Sequence, residues 1–264
     1  MFNQIRPLLQ VDSYMMKRIV LVFSMMLCTI SLMAQTEEKN GFGAMLRESN
    51  FHLGVDLQTK YIWRGMEMMT TDAAPVVFPQ INFQSKGWYV YVMGGTAING
   101  KYSEVDFGVS YTYKWLTVGL NNYYYPTTTT LNDQYFNFKA RETGHWFEGV
   151  ITFAPEKIPL YLTVSNFFAG ADKNADGKQA YSTYAELGGH YDFLNDHSLS
   201  LALGAAFNKS CYNGYAHDFS ICNVELKYTY NVKIKDFTLP LSAAYIINPV
   251  YEKSFMNFTA SFAF

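Results

Sequence analysis

The chain has 264 residues, 49% of them hydrophobic and only 16% charged, with a formal net charge of −2. A charge this near zero excludes the electrostatic footprint of a nucleic-acid-binding protein. Aromatic residues reach 17%, with 21 Tyr and 21 Phe, which is well above ordinary globular usage and favours strands and membrane–water boundaries.

At the N-terminus, Lys17 and Arg18 precede an apolar run over 19–33, and Ala34-Gln35 offers a small-residue cleavage point. A basic segment followed by about 15 apolar residues reads as a secretory signal peptide and is short for a membrane span. Residues 1–34 are therefore expected to be removed on export. Met15 or Met16 would be a more usual start than Met1, so the beginning reads as over-extended. Cys28 lies in the apolar run, but Leu27 stands where a lipoprotein signal needs a small residue. Residues 35–50 form a polar periplasmic lead-in. No later stretch is apolar enough for a spanning helix.

From residue 51 onward the pattern has period 2. Phe51, Leu53, Val55, Leu57, Tyr61 and Trp63 take one parity, and His52, Asp56, Gln58 and Lys60 the other. The same alternation recurs over 102–113 and in Met256, Phe258, Ala260, Phe262 and Phe264. Successive side chains of a strand point to opposite faces, so each segment has one apolar and one polar face. The spacing predicts strands at 51–63, 76–86, 87–97, 102–114, 115–126, 145–154, 159–170, 180–193, 197–207, 218–230, 236–247 and 254–264. Their length fits spanning strands of roughly 9–11 residues better than average soluble ones.

The connections alternate between tight turns (85–87, 114–115, 155–159, 194–196, 232–235) and a set of mostly longer polar loops (64–75, 127–144, 171–179, 208–217, with 99–101 short). Short periplasmic turns and longer extracellular loops are the asymmetry of an outer-membrane barrel. The expected fold is all-β, a transmembrane up-and-down antiparallel barrel of about twelve strands over 51–264. In this register the apolar parity faces lipid and the polar parity the lumen. Asn122 and Asn166 are polar exceptions near outer strand ends, and strand 88–97 is apolar on both faces.

The first third of the barrel resembles the TorF-like porin family of outer-membrane β-barrels. Tyr61-Ile-Trp63-Arg64-Gly65 is similar to the family's aromatic-Arg-Gly signature at the end of the first strand. Pro75, Gln80, the run from Gly87 to Tyr91, Ser103 to Asp106 and Asn122 to Pro126 follow in a similar order. The likeness covers roughly 51–126 and implies a pore without catalytic residues. An aromatic end, Phe264 with Phe262 and Phe258 on the same face, resembles the C-terminal strand by which the barrel-assembly machinery recognises its clients.

Asp56, Glu104, Asp106, Glu148, Glu186, Asp192 and Glu225 are expected to line the lumen, against Lys60 and Lys227. That excess predicts a negative interior with a preference for cations. No cofactor is expected. The implied partners are outer-membrane lipid, periplasmic chaperones, the assembly machinery and small solutes.

Three smaller constellations stand in the sequence. Asp172, Asn174 and Asp176 before Gly177 resemble half a calcium loop, but its twelfth position is Thr183 rather than an acid. Cys211 and Cys222 could pair across a hairpin whose register also aligns Phe207 with Leu226, but a loop Cys and a small apolar strand Cys explain the same facts, and that unpaired reading is preferred. An outer-membrane lipid or lipopolysaccharide hydrolase would place a Ser–His pair at the outer rim, where His145 and His217 stand with Ser103, Ser210 and Ser220. His52, His190 and His197 lie toward the periplasmic end. No nucleophile motif surrounds any of these serines, so a channel is the expected function. A rim enzyme and a closed structural or surface-binding barrel are the alternatives, and loop 127–144 is long enough to fold inward.

Overall fold

The computed structural model describes residues 50–126, 134–139 and 141–264. The expected signal peptide and most of the lead-in lie outside the described residues. Twelve antiparallel strands close into one barrel: β1 (Phe51–Gln58), β4 (Val76–Ser85), β5 (Trp88–Ala97), β6 (Ser103–Tyr113), β7 (Leu116–Tyr124), β8 (His145–Phe153), β9 (Leu160–Gly170), β10 (Thr183–Phe193), β11 (His197–Ala206), β12 (Ser220–Ile234), β13 (Phe237–Asn248) and β14 (Lys253–Ala263). Each pairs with its neighbour in sequence, and β14 closes on β1. Leu53 and Phe264 exchange both backbone hydrogen bonds at that seam. Closure removes every sheet edge, which is what lets a sheet cross hydrocarbon.

Alternation decides the two faces. Leu162, Leu187, Leu203, Val224 and Ile247 occupy partnered positions on five consecutive strands and point outward. Leu187 and Leu203 are about half exposed. Trp88, Tyr113, Trp115, Tyr191 and Tyr230 are exposed near the short-turn end, the place of an aromatic girdle. A soluble barrel would turn these residues inward. This one spans a membrane.

The tight turns use left-handed backbone at Lys86, Gly87, Lys114, Leu194, Asn195 and Lys235. The β12–β13 turn is Lys235-Asp236, shorter than the expected 232–235, because β12 runs on to Ile234.

Three readings of the sequence are corrected. The first strand does not run to 63. It ends at Gln58, and Ile62–Trp63 (β2) and Met66–Glu67 (β3) form a separate hairpin. Tyr61 and Trp63 are therefore not lipid-facing; both pack against the buried interior cluster. Among the described residues this hairpin folds inward. In loop 127–144, whose length would allow it to do so, Tyr135 and Phe138 lie against His145. Finally, Leu226 pairs with Leu201 rather than Phe207, so the register does not align the two cysteines, and both are free. Burial, with the Asp172 carboxylate nearby, pushes the half-buried Cys211 thiol above its ordinary range.

Candidate functional site: a hairpin seated in the barrel

Ile62 pairs with Glu67 and Trp63 with Met66, so Arg64-Gly65 is a two-residue connection. Both have positive φ, 50° and 78°, the signature of a type I′ turn. Gly is required at 65: a Cβ there would lie 2.0 Å from the Cys222 carbonyl oxygen. The Gly65 carbonyl accepts a hydrogen bond from Asn248 Nδ2 at 2.9 Å, and Asn248 is fully buried. The tip is thus clamped between β12 and the end of β13.

From this tip Arg64 crosses the interior to β8. Its Nη1 lies 2.5 Å from Glu148 Oε1 and donates to the Tyr212 hydroxyl at the same distance. The guanidinium carbon sits 4.5 Å from the Trp63 ring centroid and 4.8 Å from that of Tyr184. Glu148 accepts further bonds from the Tyr123 hydroxyl at 2.7 Å and from Asn121 Nδ2 at 3.3 Å. A charge pair this deep needs its remaining polar positions matched, and both oxygens of Glu148 are. Around it Trp63 meets Tyr123, Phe167 and Tyr212. Tyr212 comes from a short 3-10 turn, Cys211–Asn213. The long-loop half of the interior is consequently a packed core of Tyr61, Trp63, Met66, Phe78, Tyr102, Tyr123, Phe167, Tyr184 and Tyr212.

Other expected lumen acids have distinct settings. Glu104 and Asp106 are almost fully buried on β6. Glu104 accepts from the Tyr61 hydroxyl at 3.3 Å and from the Tyr102 hydroxyl. Glu186 accepts from the hydroxyls of Tyr161 at 2.7 Å and Tyr184 at 2.5 Å, and from Asn223 Nδ2 at 3.2 Å. Lys60 pairs with Glu67 at 3.3 Å, and Lys227 with Glu225 at 3.5 Å. Asp192 is exposed at the short-turn end beside His190.

Below the hairpin lies a cavity of about 390 Å³, roofed by Tyr61, Ile62 and Trp63 and running along β4 and β5 to Tyr89. The sequence left the faces of β5 undecided. Trp88, Val90 and Val92 are outward and exposed, and Tyr89, Tyr91 and Met93 line the cavity. Period 2 alone could not find this, because both parities are apolar; the neighbouring β6, with Asp106 paired to Met93, carries the signal.

The minor constellations make local hydrogen bonds. The Asp172 carboxylate accepts from Ser182 N at 2.8 Å, Ser182 Oγ at 2.7 Å and the Tyr215 hydroxyl at 3.3 Å. Asn174 Oδ1 accepts from the backbone of Asp176 and Lys178. Those oxygens hold their own loop. His145 has Nδ1 at 2.8 Å from Asn122 Oδ1 and Nε2 at 2.6 Å from the Tyr135 carbonyl, so both ring nitrogens are engaged and neither by a serine. His217 is exposed, and its carbonyl accepts from Asn213. Asn166 binds the Tyr181 carbonyl and the Thr183 hydroxyl.

No family model matches the sequence, and no curated protein matches it. Solved structures similar in architecture include the KdgM porin (9% identity, 81% of this chain and 98% of that one, TM-score 0.48). The COG4313 outer membrane channel of Pseudomonas putida F1 compares at 13% identity, 82% and 95% coverage and TM-score 0.46. The Pseudomonas putida toluene transporter TodX compares at 11%, 84% and 93%, and 0.43. At such identities what those proteins carry does not transfer to this chain.

Proposed function

We propose that this chain is an outer-membrane channel for small solutes whose outer half is stoppered by the β2–β3 hairpin. Long loops lie outside the cell and short turns in the periplasm. The observation that carries the reading is the contrast inside one barrel: a cavity of about 390 Å³ and, above it, a separate hairpin tied to the wall by the Arg64–Glu148 pair, the Tyr61–Glu104 hydrogen bond, the Asn248 clamp and ring packing. A structural wall would need no such removable part. The acids in excess of Arg64, Lys60 and Lys227 favour a cation-preferring lumen. Membership of the TorF-like porins is supported by the position of the aromatic-Arg-Gly signature, which forms the hairpin and its tip. Phe258, Phe262 and Phe264 on the closing strand are suited to reading by the assembly machinery after chaperone-assisted export. The engaged His145 supports a non-catalytic role.

The test is conductance of the refolded full chain in a planar bilayer under a salt gradient, beside a variant with residues 61–68 replaced by a short Gly/Ser linker. The expected result is small or rare steps for the parent and large, steady, cation-selective steps for the variant. A second reading, a closed barrel serving as anchor or surface-binding protein, is favoured by the density of the upper core. Silence from both folded proteins would establish it and overturn the channel.

A further inference from the structure

Asp106 has two carboxylate oxygens, both buried, and neither is matched by a hydrogen-bond donor. The Tyr124 main chain and the Glu104 carboxyl are its polar neighbours. One oxygen of Glu104, Oε1, is equally unmatched. Among the described residues no lysine or arginine forms an ion pair with either of them. Buried carboxylates left this way are costly, so something must complete them. Asp106 is also in the wall of the 390 Å³ cavity, which has Asp56 as a second acid and no basic residue in its lining. The remaining walls are mainly aromatic: Tyr61, Trp63, Tyr89 and Tyr91 among them.

We propose that this cavity is a binding subsite for a primary amine with an apolar or aromatic body, its ammonium group seated at Asp106. The inference rests on the channel reading only for how the ligand arrives. Of the residues lining the cavity, Asp106 has two unmatched acceptor oxygens, and a primary ammonium offers up to three N–H donors on a single positive charge. Aromatic walls add attraction for a cation through their ring faces and accommodate the apolar body by excluding water. A divalent metal is a poorer occupant, because among the described residues no group of three His, Cys, Asp or Glu is placed to hold one. The volume fits a small ligand, since sites of this kind span roughly 300–1,000 Å³. A proton shared between Glu104 and Asp106 is the competing way to complete the pair, and it predicts no role for a ligand's charge.

The experiment is titration calorimetry of the refolded full chain in detergent with phenethylamine and with its neutral counterpart 2-phenylethanol, each corrected for empty micelles. Saturable amine binding is expected, at least tenfold tighter than the alcohol. D106N should weaken the amine at least tenfold and D56N severalfold, with the fold of each checked by the heat-dependent gel shift. Equal binding of amine and alcohol to the parent protein would overturn the subsite without any variant. So would an unchanged affinity in folded D106N, the outcome a shared proton requires. Binding in detergent needs no conduction, so a silent bilayer with intact amine affinity would count against the channel and leave the subsite standing.

Discussion

The two halves of the barrel interior are built on the same inward parity and end up as different materials. Toward the long loops the inward positions carry Glu148, Phe167 and Tyr184, and the hairpin brings Trp63 and Arg64 among them. Toward the short turns Tyr89 and Tyr91 border the cavity, but several inward positions carry small hydroxyl residues paired across strands: Thr112 with Thr117, Thr152 with Thr163 and Thr229 with Ser242, each at 2.9 Å. Small polar side chains leave space and keep water; large rings fill it and expel water. Whether a dozen strands enclose a passage or a core is therefore set by side-chain volume and by what a loop inserts, not by strand count alone.

The largest effect should come from dividing the Arg64–Glu148 pair. R64M leaves Glu148 buried without its cation, and E148L leaves the guanidinium without its anion. Each should cost about 3–5 kcal/mol of hairpin seating and convert a mostly closed barrel into a conducting one. The double variant R64M/E148L replaces both charges by apolar groups of similar volume, and such exchanges are often neutral. Its conductance should return toward that of the parent. A double variant as leaky as the singles would mean that the pair carries the seal through geometry that apolar packing cannot supply.

A smaller effect is expected at the tip. G65A puts a Cβ where φ is +78° and where the Cys222 carbonyl lies 2.0 Å away. The left-handed conformation alone costs a non-glycine residue about 1–2 kcal/mol. The hairpin should seat less well, read as more frequent channel openings with an unchanged single-channel step. An altered step size instead would place Gly65 in the wall of the conducting path.

The wall of this barrel was legible in the sequence and its contents were not. Alternation placed twelve strands and the lipid face because that pattern depends only on period 2 and on the solvent outside. It misread Tyr61 and Trp63, since the parity of β1 continues unbroken through the exit from the sheet and Arg64-Gly65 is not one of the Asn-Gly or Asp-Gly pairs that announce such a turn. The acids of the interior were visible as residues. Their partners were not: Arg64 stands 84 positions from Glu148 and Tyr61 stands 43 from Glu104 in sequence, and only the folded barrel makes them neighbours.

One hydrogen-bonded residue from each half can be set side by side, and the lower-half residue carries the smallest predicted effect. Asn248 is fully buried, donates to Gly65 and accepts from the Val250 backbone. N248A strands those groups in a dry setting, which should cost about 1–3 kcal/mol. Thr152 is bonded to Thr163 in the lower interior. In T152V the freed Thr163 hydroxyl turns to lumen water, so the change should stay within about 0.5 kcal/mol. Urea-dependent unfolding in lipid vesicles measures both on one scale. If T152V costs as much as N248A, water does not reach Thr163. The lower half would then be as dry as the upper, and a passage would need rearrangement of the whole interior rather than release of one hairpin.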